Sequence, residues 1–140
     1  MENILFRDYG LSPSEQLAIS EGFARHSQQQ AAPPFSRQNL SWLVKDNNHK
    51  VIAALTADLL WDWLYIDELW VNEAQRGEDL GTKLMLEANN YALARKLSGI
   101  WLWTQSWQAA AFYKKLGYIE FAVFPNFPKG HSRIGFRKFI

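Results

Sequence analysis

Three consecutive runs of β-forming residues constrain the fold of this chain more than any other feature of its sequence. The runs are Leu40–Asp46, Lys50–Asp62 and Trp63–Val71. The first two flank Asn47–His49, whose asparagines tolerate the positive φ of a tight hairpin turn. Because β-rich runs joined by short turns pair with their sequence neighbours, we expect three adjacent antiparallel strands.

After Gly81 the hydrophobic period changes from that of a strand to that of a helix. The apolar residues at i, i+4 spacing are Leu80, Leu84, Ala88 and Ala92. No strand would bury such a stripe on one face, so the sequence predicts a helix here. Gly99 is expected to end this helix, close behind the basic residues Arg95 and Lys96.

The remaining elements complete a mixed topology. They are a strand at Ile4–Tyr9, a helix from Ser12 to about Ser27, a strand at Ile100–Thr104, a helix over Ser106–Tyr118 and a terminal hairpin of Tyr118–Phe124 with Arg133–Ile140. Pro13 and Glu15 after Ser12 are typical of a capped helix start, and Ser106 is expected to cap the later helix. The predicted order is β-α-βββ-α-β-α-ββ, an α+β class built as a single domain over residues 1–140.

Charge and cysteine content exclude several classes of protein. The formal net charge is +1 over 140 residues, and the chain has no cysteine. No strong field therefore attracts nucleic acid or an anionic membrane, and disulfides and thiolate metal sites are excluded. His26, His49 and His131 lack metal-ligand spacing, so we expect no metal. No run resembles a signal peptide or a membrane span, which favours a cytoplasmic protein.

Aromatic residues make up 15% of the chain and include seven tryptophans. Most of these rings are expected in the core, where large aromatic side chains dominate burial. A second interpretation is that some of them line an acceptor pocket, and a third is that they form the face of a homodimer. The candidates are Trp61, Trp63, Trp70, Trp107 and Phe35.

The loop between the third strand and the helix, Arg76–Gly81, carries two glycines four residues apart. The first amides of the helix lack intrahelical partners and lie at the positive end of its dipole, so a phosphate or pyrophosphate would bind there, with Arg76 adding a charged contact. Alternatively, Gly77 only supplies a turn and Gly81 only permits close packing of the helix on a strand. The order Gly81-Thr82-Lys83 does not match a Walker loop, and three preceding antiparallel strands argue against a dinucleotide-binding βαβ unit.

Two segments resemble the GCN5-related N-acetyltransferase (GNAT) family. In that family a strand ending in a hydrophobic residue is followed by the motif Arg/Gln-x-x-Gly-x-Gly/Ala, which wraps the pyrophosphate of CoA. In this chain Val71 precedes Arg76–Gly81, and Asp79 stands where the middle glycine is usual. Ala109–Phe121 resembles the family's late motif, an alanine-rich helix ending in Phe/Leu-Tyr-x-x-x-Gly-Phe/Tyr. The resemblance implies a GNAT-like, mostly antiparallel sheet flanked by helices, with acetyl-CoA as co-substrate. An aspartate adds negative charge beside the anion, so either its side chain turns outward and caps the helix, which we favour, or the affinity for CoA is lower than usual.

The resemblance also implies which residues bind the cofactor. Main-chain groups of Leu69, Trp70 and Val71 should pair with the pantetheine arm, and Ser106 falls where many members place an asparagine that hydrogen-bonds the cofactor region. The residues expected around the pyrophosphate are Arg76, Gly77, Glu78, Asp79, Leu80, Gly81 and Thr82. Tyr113 matches the family tyrosine beside the sulfur and would protonate the departing thiolate.

Transfer to an amine also needs a base, because a primary amine with a pKa of ~10.4 is mostly protonated at neutral pH. Asp67 and Glu68 are the candidates, and strict alternation along a strand places their side chains on opposite faces. We therefore expect only one of them to reach the acceptor, and favour Glu68. The expected function is N-acetyl transfer to a small-molecule amine, with a protein amine as second choice. The alternative is a non-catalytic module that binds acyl-CoA.

Overall fold

The computed structural model describes residues 3–140 as an α+β protein whose element order is α1, three strands, α2, a strand, α3 and two strands. The elements are α1 (Pro13–Gln29), β1 (Arg37–Lys45), β2 (Val51–Leu60), β3 (Trp63–Val71), α2 (Leu80–Ala94), β4 (Gly99–Gln105), α3 (Ala110–Lys115), β5 (Ile119–Pro125) and β6 (Ser132–Phe139), with a 3₁₀ turn at Glu73–Gln75. These residues divide into two compact units, one ending at Phe35 and the other formed by Ser36–Ile140. The single-domain organisation predicted over residues 1–140 stays a prediction.

The first unit contains α1, and its start confirms the cap expected at Ser12. The Ser12 hydroxyl accepts a hydrogen bond from the Glu15 amide, while the Glu15 carboxylate accepts one from the Ser12 amide, which makes a reciprocal capping box. Arg7 adds an ion pair to Glu15 at 2.7 Å, and this hydrogen bond lowers the pKa of the Glu15 carboxyl below its ordinary value.

The strand predicted at Ile4–Tyr9 is wrong, because this segment forms no regular structure. A strand must share its amides and carbonyls with a neighbour, and none of the six strands of the sheet comes from this segment. Ile4 and Phe6 are correspondingly exposed. Local β propensity was the only signal here, and without a partner strand it is insufficient.

The second unit is built on one six-stranded sheet of order β1-β2-β3-β4-β6-β5. The β1–β2–β3 meander is antiparallel, which confirms the three adjacent strands predicted from sequence. Only β3 and β4 pair in parallel, and α2 connects them. In the β1–β2 turn the positive φ falls on His49 rather than on an asparagine, while the Asp46 carboxylate accepts hydrogen bonds from the amides of Asn48 and Lys50. The sheet therefore has one parallel pair at its centre.

The core lies between α2 and one face of the sheet. The helix buries Leu84, Met85, Ala88 and Ala92, close to the stripe predicted from the i, i+4 spacing. The largest fully buried side chains of the sheet are Leu55, Leu64, Ile100, Leu102 and Phe136. Each such side chain stabilises the fold by roughly 1.5–3 kcal/mol through the apolar surface it removes from water. This packing fixes where the ends of β3 and β4 lie.

Gly99 does not end α2 as predicted. The helix ends at Ala94, Lys96 takes the left-handed conformation with φ of 55°, and Gly99 opens β4. A Cβ at Gly99 would lie 2.5 Å from the Trp63 ring and 2.6 Å from the carbonyl oxygen of Lys138. Glycine is required there because neighbouring strands approach each other closely. This contact joins residues distant in sequence, and the prediction of a helix C-cap did not take it into account.

The last helix is shorter than predicted, and Ser106 does not cap it. The helix α3 begins after Ala109 and has six residues. The Ser106 amide donates to the Ser132 carbonyl at 2.7 Å, and the Ser132 amide donates to the Ser106 hydroxyl at 3.0 Å. Ser106 thus extends the pairing of β4 with β6. Because its hydroxyl is bonded to Ser132, it does not cap a helix.

Candidate active site

The central parallel pair of strands separates along its length and opens a cavity. Paired positions run only from Trp63 with Gly99 to Ile66 with Leu102. Beyond them the strands diverge around a cavity of about 670 Å³. Its lining residues are Ile66, Asp67, Glu68, Leu69, Trp70, Arg76, Leu102, Trp103, Thr104, Gln108, Ala109 and Tyr113. We call this space the interstrand cavity.

A β-bulge in β3 determines where the two candidate bases point. Thr56 lies opposite Glu68 whereas Ala57 lies opposite Ile66, so Asp67 has no partner on β2. The extra residue interrupts the alternation of a regular strand. Asp67 and Glu68 consequently both line the interstrand cavity, which corrects the expectation that only one of them reaches the cleft.

The same two carboxylates also line a second cavity of about 320 Å³ on the β1–β2 side, which we call the polar cavity. Its lining residues are Arg37, Asn39, Leu40, Ser41, Thr56, Ala57, Asp58, Asp67 and Glu68. The Thr56 hydroxyl donates a hydrogen bond to Glu68 Oε1 at 3.0 Å. No side-chain hydrogen bond or ion pair among residues 3–140 involves the Asp67 carboxylate. The hydrogen bond from Thr56 therefore orients Glu68, and Asp67 has no comparable side-chain partner among these residues.

Asp58 is the buried charge of the polar cavity, with 8% of its surface exposed. Arg37 forms an ion pair with Asp58 Oδ2 at 3.1 Å, and the Asn39 amide donates a short hydrogen bond to Oδ1. Both carboxylate oxygens thus have partners, as a buried charge requires.

The predicted anion-binding loop connects β3 to α2 through residues with positive φ. Gly77 has φ of 89° and Asp79 has φ of 59°. The first hydrogen bond of α2 runs from the Lys83 amide to the Asp79 carbonyl at 2.9 Å, so the amides of residues 80–82 precede the intrahelical ladder. This arrangement leaves a helix N-terminus with the polarity that favours an anion.

Asp79 is exposed at the N-cap position, as expected for an outward side chain, but it makes no capping hydrogen bond. The predicted cap is therefore wrong. Its left-handed backbone prevents the extended geometry from which an N-cap side chain normally reaches the second or third amide. Aspartate is one of the few residues besides glycine that adopts this left-handed conformation readily.

The other loop glycine, Gly81, faces the protein. A Cβ built on it would lie 3.6 Å from Phe112 and 3.8 Å from Val71, which are ordinary packing distances. Close packing of α2 against β3 and α3 is therefore one role of Gly81. Contact of its amide with an anion is compatible with this role, since the amide belongs to the first turn of the helix.

Tyr113 lies in the wall of the interstrand cavity and is 7% exposed. Its ring packs against Phe112 and Tyr118 with centroids 5.1 and 6.0 Å apart. Burial raises the pKa of the Tyr113 phenol to about 12, because the charged form would lose its hydration. The phenol is therefore protonated at neutral pH and can donate a hydrogen bond or a proton into the cavity.

Gln108 is a cavity residue that sequence reasoning missed. Its Oε1 accepts hydrogen bonds from the Gln105 amide at 3.0 Å and from the Thr104 hydroxyl at 3.3 Å. Because a backbone amide can only donate, this contact fixes the oxygen inward and leaves the Nε2 group as the free donor of the side chain. Ser106, the residue predicted for this role, bonds to Ser132 and does not line the cavity. Nothing in the sequence distinguishes Gln108 from Gln105.

The remaining predicted residues divide between the cavity and its surroundings. Leu69, Trp70 and Arg76 line the interstrand cavity, whereas Val71 packs beside Gly81. Glu78 is exposed, Leu80 is half-buried at the start of α2, and Thr82 lines a separate small cavity of about 140 Å³. No group of three histidine, aspartate or glutamate side chains within residues 3–140 could hold a metal ion.

The aromatic acceptor pocket expected from the tryptophans is not formed by the predicted set. Trp70 lines the interstrand cavity together with Trp103, while the polar cavity has no aromatic residue in its wall. Trp63 packs on Phe139 and Trp107 packs on His131, with centroids 5.6 and 4.8 Å apart. Phe35 belongs to the first unit.

The described residues thus combine three features: a mixed sheet with one splayed parallel pair, a helix N-terminus beside the splay and a buried tyrosine in the cavity wall. Residues 3–118 match the Acetyltransferase (GNAT) family, and the chain belongs to that family. The earlier resemblance is thereby confirmed. GNAT acetyltransferases use acetyl-CoA as acyl donor.

Comparisons with individual proteins agree with this assignment. The chain is 36% identical to blasticidin-S acetyltransferase of Streptomyces morookaense over 84 residues, 58% of this chain and 60% of that protein. The match thus spans less than two thirds of that relative. A crystal structure of an acetyltransferase from Bacillus cereus shares 29% identity and a TM-score of 0.80, covering 96% of this chain and 98% of the other. A structure assigned as a streptothricin acetyltransferase from Bacillus anthracis, in complex with acetyl coenzyme A, shares 20% identity and a TM-score of 0.64 over 73% of this chain and 62% of the other.

Proposed function

We propose that this protein transfers the acetyl group of acetyl-CoA directly to a primary amine of a polar small molecule. The observation that carries the proposal is the meeting of two cavities at Asp67 and Glu68. In this proposal the interstrand cavity would receive the pantetheine arm of acetyl-CoA, and the polar cavity would receive the acceptor. The two carboxylates lie between them, where the acetyl carbon and the amine nitrogen would meet.

The interstrand cavity would receive the donor as an additional strand between β3 and β4. Main-chain groups of Leu69–Val71 are no longer paired with β4, so they are available to the amides of the pantetheine arm. The pyrophosphate would bind the first amides of α2 with Arg76 beside it. Gln108 Nε2 would donate to a carbonyl oxygen of the arm.

The chemistry needs one proton removed and one supplied. Glu68, directly or through a water molecule, takes a proton from the ammonium group of the acceptor, and the free amine then attacks the thioester carbon. The new C–N bond forms as the C–S bond breaks, and the nitrogen releases its second proton to solvent water. The CoA thiolate takes a proton from the Tyr113 phenol, which regains one from solvent. The hydrogen bond from Thr56 favours Glu68 over Asp67 as the base.

The size and chemistry of the polar cavity favour a small-molecule acceptor over a protein amine. The space measures about 320 Å³ and seven of its nine lining side chains are polar or charged. A relative is named for acetylation of blasticidin-S, a small molecule, which supports the same choice. Two residues favour the non-catalytic alternative. The negative charge of Asp79 beside an anion opposes CoA binding, and Ser106 stands where many family members have an asparagine that hydrogen-bonds the cofactor region.

The test is a calorimetric titration of the protein with acetyl-CoA, CoA and ATP, followed by a screen of amines for release of free CoA. We expect binding of both CoA species, weak or no binding of ATP, and CoA release only when an amine is present. Binding without release, for every class of amine, would favour the non-catalytic module. Absence of binding to both CoA species would contradict the assignment of the interstrand cavity.

Two further expectations, a cytoplasmic location and a homodimer, stay predictions from the sequence. Cell fractionation would test the location, and light scattering would test the oligomeric state. The residues between 3 and 140 include no helix long and apolar enough to cross a bilayer.

A further inference from the structure

We infer that the polar cavity selects an amine that carries a carbonyl or carboxylate oxygen at its far end, and that Arg37 is the residue that recognises this oxygen. This inference deepens the proposed function, on which it rests, by assigning the acceptor's chemical class. The Arg37 side chain is 55% exposed and forms an ion pair with the buried Asp58 carboxylate.

The buried Asp58 carboxylate holds the Arg37 guanidinium at the wall of the cavity. The ion pair between Arg37 Nη2 and Asp58 Oδ2 measures 3.1 Å, and the Asp58 side chain is only 11% exposed. Asn39 occupies the other carboxylate oxygen, so Asp58 cannot turn toward a ligand without losing a partner. Asp58 is thus a positioning residue. A guanidinium carries five N–H donors, and this ion pair uses one terminal nitrogen.

Arg37 lines a cavity in which seven of the nine lining residues are polar or charged. Ser41 and Asn39 line the same wall. An alkyl or aryl group placed there would remove these polar groups from water without replacing their hydrogen bonds, which is unfavourable. An oxygen acceptor would satisfy them. A second ammonium group has only N–H donors, so it could not accept a hydrogen bond from the Arg37 guanidinium.

The sheet sets the length of the acceptor. Thr56, beside Glu68, and Asp58, beside Arg37, are two residues apart on β2. Two residues of a strand span roughly 7 Å, so the reacting nitrogen and the recognised oxygen are separated by a chain of about five to seven bonds. An amine with a distal amide or carboxylate at this spacing fits a cavity that has the Asp67 and Glu68 carboxylates at one end and, at the other, the Arg37–Asp58 ion pair with further guanidinium donors.

Four amines of matched length test this inference: 6-aminohexanoate, 6-aminohexanamide, hexylamine and 1,6-diaminohexane. We expect kcat/KM to be higher for the first two than for the last two, through KM rather than kcat. Comparison of the carboxylate with the amide shows whether charge or only the oxygen is recognised. Equal KM values for all four, or a preference for the diamine, would overturn the inference.

Arg37→Lys is the informative variant, because lysine keeps an ion pair with the buried Asp58 but lacks the additional fork of donors. The ratio of kcat/KM for 6-aminohexanoate to that for hexylamine should fall roughly tenfold, the effect of one hydrogen bond to a charged group, while KM for acetyl-CoA is unchanged. Asp58→Asn should lower the same ratio by releasing Arg37. An equal loss with both amines would show a structural role only and would overturn the assignment. Arg95→Lys, which changes an arginine stacked on Tyr91 at the end of α2, is the matched control.

Equilibrium titration of the CoA-bound protein with the same four amines separates this inference from the proposed reaction. If none of the four amines is acetylated, acetyl transfer to these amines is contradicted, but tighter binding of 6-aminohexanoate than of hexylamine, abolished by Arg37→Lys, still supports the recognition by Arg37. Equal binding of the two would overturn it whether or not turnover occurs.

Discussion

Thr56 and Glu68 face each other across β2 and β3, and the Thr56 hydroxyl donates to Glu68 Oε1 at 3.0 Å. This cross-strand pair sits at the edge of the bulge that also turns Asp67 toward both cavities. The hydrogen bond holds one carboxylate at the point where the two cavities meet. The bulge therefore places both acids in one site, and the hydrogen bond from Thr56 orients only Glu68.

Glu68→Gln should lower kcat by about 100-fold or more, because general-base catalysis contributes on this order, with little change in the Kd of acetyl-CoA. Asp67→Asn, which removes the unpartnered acid, should have a smaller effect. Steady-state measurement of CoA thiol release gives both values. Thr56→Val removes the hydrogen bond that orients Glu68, and its kcat should lie between that of the native protein and that of Glu68→Gln. A larger effect of Asp67→Asn than of Glu68→Gln would reverse the assignment of the base.

Tyr113→Phe should reduce turnover by about tenfold or more while leaving acetyl-CoA affinity within about twofold, because phenylalanine keeps the ring packing and removes only the proton donor. Single-turnover kinetics with acetyl-CoA in excess, together with calorimetry, separate the two quantities. Unchanged turnover would show that the phenol is not the general acid, without affecting the family assignment.

The pH dependence of stability follows from the raised pKa of Tyr113. Folding raises this pKa from 10.0 to about 12, so the folded state keeps a proton that the unfolded state releases. The associated stability is fully present below pH 10 and is lost as the pH rises toward 12, on the order of 2–3 kcal/mol at the upper end. Urea unfolding of the native protein and Tyr113→Phe between pH 8 and 12 measures it. Burial also raises the pKa of Tyr118, so a part of the slope should survive in the variant, but an identical slope would contradict the prediction.

Gln108→Glu should weaken binding of CoA and acetyl-CoA by about fivefold to tenfold, since a carboxylate still accepts from the Gln105 amide but no longer donates into the cavity. Binding of 3′,5′-ADP, which lacks the pantetheine arm, should be unchanged. Calorimetric titration with the three ligands measures the effect. Ser106→Ala is the control and should bind CoA as the native protein does, because Ser106 bonds to Ser132. If the serine variant loses affinity and the glutamate variant does not, the roles are reversed.

Asp79→Gly should raise the affinity for CoA by about twofold to fivefold at low ionic strength. The substitution removes a negative charge beside the phosphate site and supplies the residue that accepts φ of 59° most readily. Titrations at about 20 and 500 mM salt should show the gain shrinking, since salt screens exposed charges. Asp79→Asn tests the charge alone. Unchanged affinity in both variants would place the pyrophosphate away from this loop.

The sequence determined the elements whose signals are local. The capping box at Ser12, the β-rich runs up to Val71 and the apolar stripe of α2 each depend on residues within a few positions of one another. The spacing of residues in the Arg76–Gly81 loop and around Tyr113 was likewise visible in the sequence, and the family match confirmed the resemblance to GNAT proteins; the roles of these residues stay predictions. Such patterns are sufficient because helix and strand periodicity are set by backbone geometry.

The tertiary structure alone decided the details that depend on partners distant in sequence. The strand predicted at Ile4–Tyr9 found no neighbour, Gly99 was required by Trp63 and Lys138, and Ser106 joined β6 instead of capping α3. The bulge that brings Asp67 and Glu68 into one site arises from the register of β2 against β3, which no local pattern encodes. Gln108 and the Arg37–Asp58 pair are part of the site for the same reason: their positions are fixed by contacts across the fold, and those contacts exist only after the chain has folded.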